Sequence, residues 1–351
     1  MEGKKLASEF LTLAVSPISP KKTLYTYQIF LKEVTRVLKG CVIGLGAMGS
    51  NHARVLHELQ EEGKTKLVGV ADIRENLARE VAEKYGVDWF TDYKKLLEEK
   101  PDFAIVAVPT KLHRKVAEDA VNKGCHILVE KPIAHTMSEA RKIVEIAEEG
   151  GVQLMVGHIE RFNPVVQEMK ERIGDGMVHL IGAVRVGPPI PSQRVDTGVI
   201  LDLAVHDIDI IRYLTESEFK RISAFAADCE SGIEESAMLS FEMENGTLVY
   251  IITNRITPLK IREIGVTTSE KFIRGDLISQ KVTEYSKGEL ITHARRSMFV
   301  TEIDIPYMEP LKLELKAFIS SLEQATKPPV SGEDGLRVLE TAVKCIQQFR
   351  E

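Results

Sequence analysis

The sequence predicts an α/β protein: a doubly wound parallel sheet, followed by an α+β domain built on a large, open, mostly antiparallel sheet. Three features predict it. Apolar strand-like runs alternate with helical periodicity from Leu38 to Val156. A glycine-spaced turn, Gly44-Leu45-Gly46-Ala47-Met48-Gly49, joins the first strand to the first helix. Beyond Phe219 the helical periodicity gives way to a succession of strands with polar punctuation.

Leu38 to Ile43 reads as a buried strand, and Ala53, Val55 and Leu56 open an apolar helical face after the turn. In such a turn the first glycine permits the tight bend, the second lets a pyrophosphate approach bare backbone, and the third lets the helix pack against the sheet. The helix amino terminus offers unpaired N–H groups to phosphate, with Ala47 and Met48 inside the same loop. Lys66 to Ala71 is a second strand ending at Asp72, roughly 20 residues past the loop, where a dinucleotide site places the acid that holds the ribose hydroxyls. That carboxylate favours NAD and would repel a 2′-phosphate; Arg74 keeps NADP open as the alternative.

Leu77 to Tyr85 has helical spacing, Asp88 to Phe90 is a short strand and Tyr93 to Leu97 a helical turn. Phe103 to Val108 is a continuous apolar run of the kind buried on both faces of a parallel sheet, and Pro109-Thr110 stops it at the carboxyl edge, where ligands lie. Leu112 to Val121 is a helix, Cys125 to Val129 a strand, Glu139 to Ala147 a helix and Val152 to Val156 a closing strand. The strand from Cys125 runs into Glu130-Lys131-Pro132, and the proline restricts the backbone of Lys131 at the edge of the cofactor cleft. The plain alternative is a strand-end lysine paired with Glu130.

The sequence divides into an extension at 1–37, the nucleotide domain at 38–156, a substrate and oligomerisation domain at 157–328 and a terminal helix at 329–351. Within the extension, Thr23 to Leu38 reads as a short helix or as part of a tail without a catalytic role. Leu11 to Val15 is apolar but makes a poor signal peptide. His158 to Pro164 is a polar link into a helix through Val165, Val166, Met169 and Ile173, and Leu180 to Val186 is a strand. Gly187 to Arg194 is proline-rich and suited to binding a ligand. Leu203, Ile210, Ile211 and Leu214 mark a helix on which Asp202 and His206 share a face, where an acid can orient an imidazole and raise its pKa. Strands follow at Ile222–Ala227, Ser236–Met243, Thr247–Asn254, Ile261–Thr267, Lys271–Arg274 and Leu277–Tyr285, with a tight turn at Glu244-Asn245-Gly246. Leu311 to Leu322 and Leu336 to Phe349 are helices.

The 351 residues suffice for two domains, and a net charge of −6 suggests neither a nucleic-acid nor a membrane partner. Cys41, Cys125, Cys229 and Cys345 are too scattered for a disulfide or zinc framework, which fits a reducing cytoplasm, and no apolar run reaches a membrane-spanning length. The histidines show no metal-ligand spacing, so the sequence calls for no metal.

Taken together, Gly44 to Gly49, Glu130-Lys131-Pro132 and Asp202-x-x-x-His206-Asp207 resemble the Gfo/Idh/MocA oxidoreductases, over Leu38 to Glu351. The resemblance implies a catalytic group of Lys131, Asp202 and His206, a cofactor whose nicotinamide lies near Pro109, Thr110 and His113, with Glu130 and Lys131 at its edge, and homodimers or homotetramers formed through the large sheet. His158 to Pro164, Arg185 to Pro189 and Asp196 to Asp202 are similar to the family's sugar-nucleotide dehydrogenases, of the UDP-N-acetylglucosamine 3-dehydrogenase type. Arg161 and Arg194 would then suit a diphosphate, with Asn163 beside them on the substrate side. The chemistry expected is oxidation of a secondary sugar alcohol at C3, with His206 as base, Lys131 hydrogen-bonding the developing alkoxide and Asp202 orienting His206 or binding the substrate; the sequence leaves open which of Lys131 and His206 takes the proton. The alternatives are an inositol or other polyol dehydrogenase, an NAD-using glycoside hydrolase, and a non-catalytic NAD(H) or nucleotide-sugar sensor.

Overall fold

A computed structural model describes residues 36–189, 197–228, 233–292 and 295–350, and Leu38–Glu351 form one compact unit. The expected tail and most of its short helix, together with Arg194, Cys229 and His293, lie outside the described residues.

The first layer alternates as the sequence suggests: β1 (Lys39–Ile43), α1 (Ala47–Glu61), β2 (Lys66–Ala71), α2 (Glu75–Tyr85), β3 (Asp88–Phe90), α3 (Tyr93–Glu98), β4 (Phe103–Val106), α4 (His113–Val121), β5 (His126–Glu130), α5 (Met137–Glu149) and β6 (Leu154–Gly157). The strands pair in the order β3-β2-β1-β4-β5-β6, all parallel, so the reversal of winding falls between β1 and β4. Helices cover both faces of such a sheet, which explains the unbroken burial of Phe103-Ala104-Ile105-Val106. The carboxyl ends of β1, β2, β4 and β5 therefore open onto one crevice, the usual ligand position.

The second layer holds α6 (Pro164–Ile173), β7 (Val178–Val186), a π-helical turn (Ile200–Ala204), α7 (Val205–Thr215) and β8 to β14, which span Phe219–Asp228, Glu234–Met243, Leu248–Asn254, Ile261–Thr268, Lys271–Asp276, Lys281–Thr292 and Arg295–Ile303. Its order is β14-β13-β12-β11-β7-β10-β9-β8, with β7 and β10 parallel and the other neighbours antiparallel. Asn163 caps α6 by accepting from the Val165 N–H at 3.1 Å. Helices α6, α7 and α9 (Gly332–Arg350) bury Val166, Met169, Ile208, Ile211, Val338 and Ala342 against the inner face of the sheet. On the other face the alternation leaves Leu248, Tyr250 and Ile252 of β10 exposed.

Two departures from the expected layout matter. The helix expected at Leu311–Leu322, α8 (Pro310–Glu323), falls within the sequence range of the second domain but buries Leu311, Leu315, Phe318 and Ile319 in the first core, with Phe318 edge-on to Phe103 at 5.6 Å. The strand expected from Leu277 begins only at Lys281, because Asp276 accepts from Ile278 N and Ser279 N and Gln280 takes a left-handed φ of 52°.

Candidate active site

At the end of β1, Gly44 adopts φ 91°, and a Cβ there would lie 2.6 Å from the Ala107 carbonyl oxygen. A Cβ on Gly49 would meet the Gly44 carbonyl oxygen at 1.8 Å, so this glycine sets the approach of α1 to the loop. Gly46 differs: a Cβ there would meet nothing within 4 Å and would project into open space. Helix α1 starts at Ala47 without a side-chain cap or an acidic residue in its first turn, leaving its N–H groups to an anion. Leu45 N donates to Asp72 Oδ2 at 2.8 Å, and Arg74 lies over the same carboxylate, its Nε 2.8 Å from Oδ1 and its Nη2 2.9 Å from Oδ2. Burial pushes the Asp72 carboxyl up, but Arg74 and the two backbone donors outweigh it and hold it below the usual range. Pro109 is exposed and Thr110 half-buried where β4 gives out beside this loop. An uncapped helix start, open space over Gly46 and an ionised acid at the end of β2 fit a dinucleotide.

Adjoining the loop is a cavity of about 460 Å³, lined by Met48, Glu130, Lys131, Asn163, Asp202 and His206, with Arg262, Gln280 and Tyr307 on its far wall. Lys131 comes from the end of β5 and Asp202 from the π-helical turn, and Lys131 Nζ donates to Asp202 Oδ1 at 3.0 Å and to its carbonyl at 2.8 Å. The lysine is thus held by Asp202, while Glu130 turns inward to His52 at 2.7 Å and accepts from Lys131 N at 3.1 Å. His206 stands on the first turn of α7, and its Nδ1 is buried without a partner, leaving Nε2 as the nitrogen open to the cavity. Burial first, then the charges of Lys131, Arg185, His158 and Arg262, push its pKa well below 6.5. The imidazole is therefore neutral at pH 7 and able to accept a proton.

Beneath the cavity lies a charged floor. Arg185 of β7, 1% exposed, forks onto Asp207 with two 2.9 Å hydrogen bonds and donates to Glu160 at 2.9 Å, which also accepts from Arg262 at 3.0 Å. Arg262 and Arg185 are direct neighbours across β11 and β7.

Several expectations need correction. Asp202 makes no hydrogen bond to His206 and does not raise its pKa; its carboxylate is spent on Lys131, and the cationic surroundings lower the imidazole instead. Arg161 cannot reach a diphosphate: it is 6% exposed, forks onto Asp209 and donates to the Pro329 carbonyl at 2.9 Å. Asn163 borders the cavity, but its amide is used in capping α6 and in donating to the Leu277 carbonyl at 3.0 Å. His113 is buried, with one ring nitrogen 2.9 Å from the Val108 carbonyl and the other 3.1 Å from that of Pro132, so it braces two loops and offers the cofactor no free nitrogen. Arg255 and Arg262 are not expected from the sequence, and Arg185 figures there only in the Arg185–Pro189 similarity, without a role in the site. The available signal was Arg185 itself, a charge inside the apolar run Leu180–Val186.

A family model described as an oxidoreductase family with an NAD-binding Rossmann fold matches residues 38–158, and the Gfo/Idh/MocA C-terminal domain matches 166–273. The chain belongs to the Gfo/Idh/MocA oxidoreductase family. As a family member it is an NAD-binding oxidoreductase, in keeping with the loop at Gly44–Gly49. It is similar to a UDP-N-acetylglucosamine 3-dehydrogenase from Acidithiobacillus ferrooxidans, 27% identical over 86% of this chain and 94% of that protein. A solved structure of that enzyme superposes with a TM-score of 0.82 at 26% identity, covering 90% of this chain and 99% of the other. It is also similar to a scyllo-inositol 2-dehydrogenase (NAD(+)) from Bacillus subtilis, 28% identical over 88% of this chain and 93% of that one. A levoglucosan dehydrogenase solved with NADH shares the fold, with a TM-score of 0.79 at 18% identity over 90% of this chain and 97% of the other. These relatives are dehydrogenases of CH–OH groups in sugars and polyols.

Proposed function

We propose that this chain is an NAD-dependent sugar dehydrogenase that oxidises a secondary hydroxyl, at C3, of a sugar nucleotide such as UDP-N-acetylglucosamine. The observation that carries the reading is the meeting of Lys131, Asp202 and His206 on one cavity beside the glycine loop. Bound NAD supplies the hydride acceptor, at nicotinamide C4. Lys131, fixed by Asp202, donates a hydrogen bond to the substrate oxygen and stabilises the charge that develops as its proton leaves. His206 Nε2, kept neutral by burial, takes that proton, so the alcohol loses a hydride and a proton and becomes a ketone. Lys131 and His206 both hold the substrate, whose sugar ring the cavity encloses. The similarity to the UDP-N-acetylglucosamine enzyme over nearly its whole length supports the nucleotide-sugar reading.

A polyol such as inositol is the nearest rival, since the scyllo-inositol enzyme is similar at 28% identity. Oligomerisation through the outer face of the second sheet belongs to the same proposal, supported by the exposed Leu248, Tyr250 and Ile252. The test is NADH absorbance with NAD and a panel of nucleotide sugars, free sugars and inositols. Turnover with UDP-N-acetylglucosamine at a kcat/KM at least a hundredfold above any inositol is expected; the reverse order would replace this reading with the polyol one.

A further inference from the structure

A second recess of about 230 Å³ shares Asp202, Leu203 and Arg262 with the catalytic cavity and is lined as well by Arg185, Arg255 and Lys260 together with Val186, Gly187 and Pro188. Strand register creates this concentration of charge. β7 is flanked by β10 and β11, so Val186 at its end faces Asn254 on one side and Ile261 on the other. Arg255 and Lys260, the residues just beyond those two strand ends, are thereby brought to either side of the same strand terminus.

The cations exceed their partners. Lys131, Arg185, Arg255, Lys260 and Arg262 border the two adjoining recesses, and their ion-pair partners are three carboxylates, Glu160, Asp202 and Asp207. Lys260 is exposed and has no partner among the described residues, and the Arg262 charge, followed by desolvation, holds it below the ordinary lysine range. Arg255, 5% exposed, carries a buried Nε–H with no acceptor, while its Nη2 donates to the Thr197 carbonyl at 2.8 Å and stands 3.9 Å from Asp202 Oδ2. A buried unmatched guanidinium donor costs free energy unless a ligand completes it. Glu130 also borders the cavity but turns its carboxylate to His52, so Arg255, which shares Asp202 with Lys131, and Lys260 are left without a carboxylate of their own. A diphosphate supplies two negative charges with oxygens suited to guanidinium forks.

We infer that the recess formed by Arg255, Lys260 and Arg262 is the subsite for the diphosphate of a nucleotide-linked substrate whose sugar lies against Lys131 and His206. This deepens the proposed function and rests on it for the sugar; the anion site itself can be tested without turnover. It gives these residues the diphosphate role expected of Arg161, while Arg194 lies outside the described residues. Asp202 borders both recesses, with Oδ1 on Lys131 and Oδ2 toward Arg255, and so links occupancy of the anion site to the placing of the lysine.

The experiment is isothermal titration of the full chain, loaded with NAD, with UDP, inorganic pyrophosphate and uridine, for the wild type and Lys260→Glu. UDP and pyrophosphate should bind the wild type and uridine at least tenfold more weakly. Lys260→Glu should weaken both phosphate ligands at least tenfold while its NAD affinity stays within twofold of wild type, which controls for folding. Absence of UDP and pyrophosphate binding to the wild type, or affinities unmoved by Lys260→Glu, overturns the site. UDP binding that exceeds pyrophosphate binding assigns the ligand as nucleotide-borne, and pyrophosphate binding as tight as UDP assigns the recognition to the phosphates alone. If nucleotide sugars are not oxidised yet both phosphate ligands bind through Lys260, the C3 reading fails and the anion site stands. If UDP-N-acetylglucosamine is oxidised with a KM indifferent to Lys260→Glu, the dehydrogenase reading stands and the anion site fails.

Discussion

His206 owes its reactivity to burial more than to any single partner. Because its pKa lies well below 6.5, the base is already deprotonated at neutral pH, and kcat/KM is expected to stay level as the pH falls through 6.5, dropping only at the lower pKa. An acid limb centred on the ordinary imidazole value would contradict this. After burial, the Lys131 charge is the largest cause of the depression, so Lys131→Met should move the His206 ring titration upward, measured by NMR. At this scale the sequence was legible where a motif fixes the backbone: Lys131 before its proline and His206 four residues after Asp202 both line the cavity. It was illegible where function depends on register, since nothing local says that Arg262 will lie opposite Arg185.

Among the elements, the glycine turn makes opposing predictions for two of its members. Gly46→Ala places a methyl in open space, so the melting temperature should barely change while NAD affinity falls, read by calorimetry and titration. Gly49→Ala drives a methyl into the Gly44 carbonyl and should destabilise the fold itself. Arg161 belongs with the structural group. Arg161→Met strands Asp209 as a buried, unpaired carboxylate and should cost about 3–5 kcal/mol of stability in urea unfolding. A selective rise in sugar-nucleotide KM without loss of stability would return Arg161 to the site. Its burial was hidden in the sequence because its partners, Asp209 and the Pro329 carbonyl, are remote in the chain. The strand Arg295–Ile303 is not legible for a different reason: Met298, Phe299 and Val300 are consecutive, apolar and all exposed, so β14 lacks the alternation that marks a half-buried strand.

For the whole molecule, the exposed apolar stripe on β10 should be covered by a second copy, and Ile252→Glu should convert a dimer or tetramer to monomer in sedimentation velocity, with NAD binding retained. Acid stability follows from the buried histidines. His113, His158 and His206 all titrate below 6.5, so between that value and their own lower pKa values the unfolded chain binds protons that the native one does not. Stability therefore falls as pH drops from 7 through this window, offset in part by Glu314, whose carboxyl burial pushes well above the ordinary range so that the native chain takes up its proton first, and the melting temperature at pH 5.5 should lie below that at pH 7.5. The alternation of the first layer and the change to an antiparallel sheet were legible because periodicity is local; the return of α8 to the first core was not, because its apolar face would suit either layer.

The most direct test is single-turnover NADH formation from UDP-N-acetylglucosamine by wild type, Lys131→Met and His206→Asn, each saturated with NAD. Two side chains converging on one carbon predict a rapid absorbance rise in the wild type that slows by about 10²–10⁴ in both variants although both bind NAD. Either variant forming NADH at the wild-type rate contradicts the account.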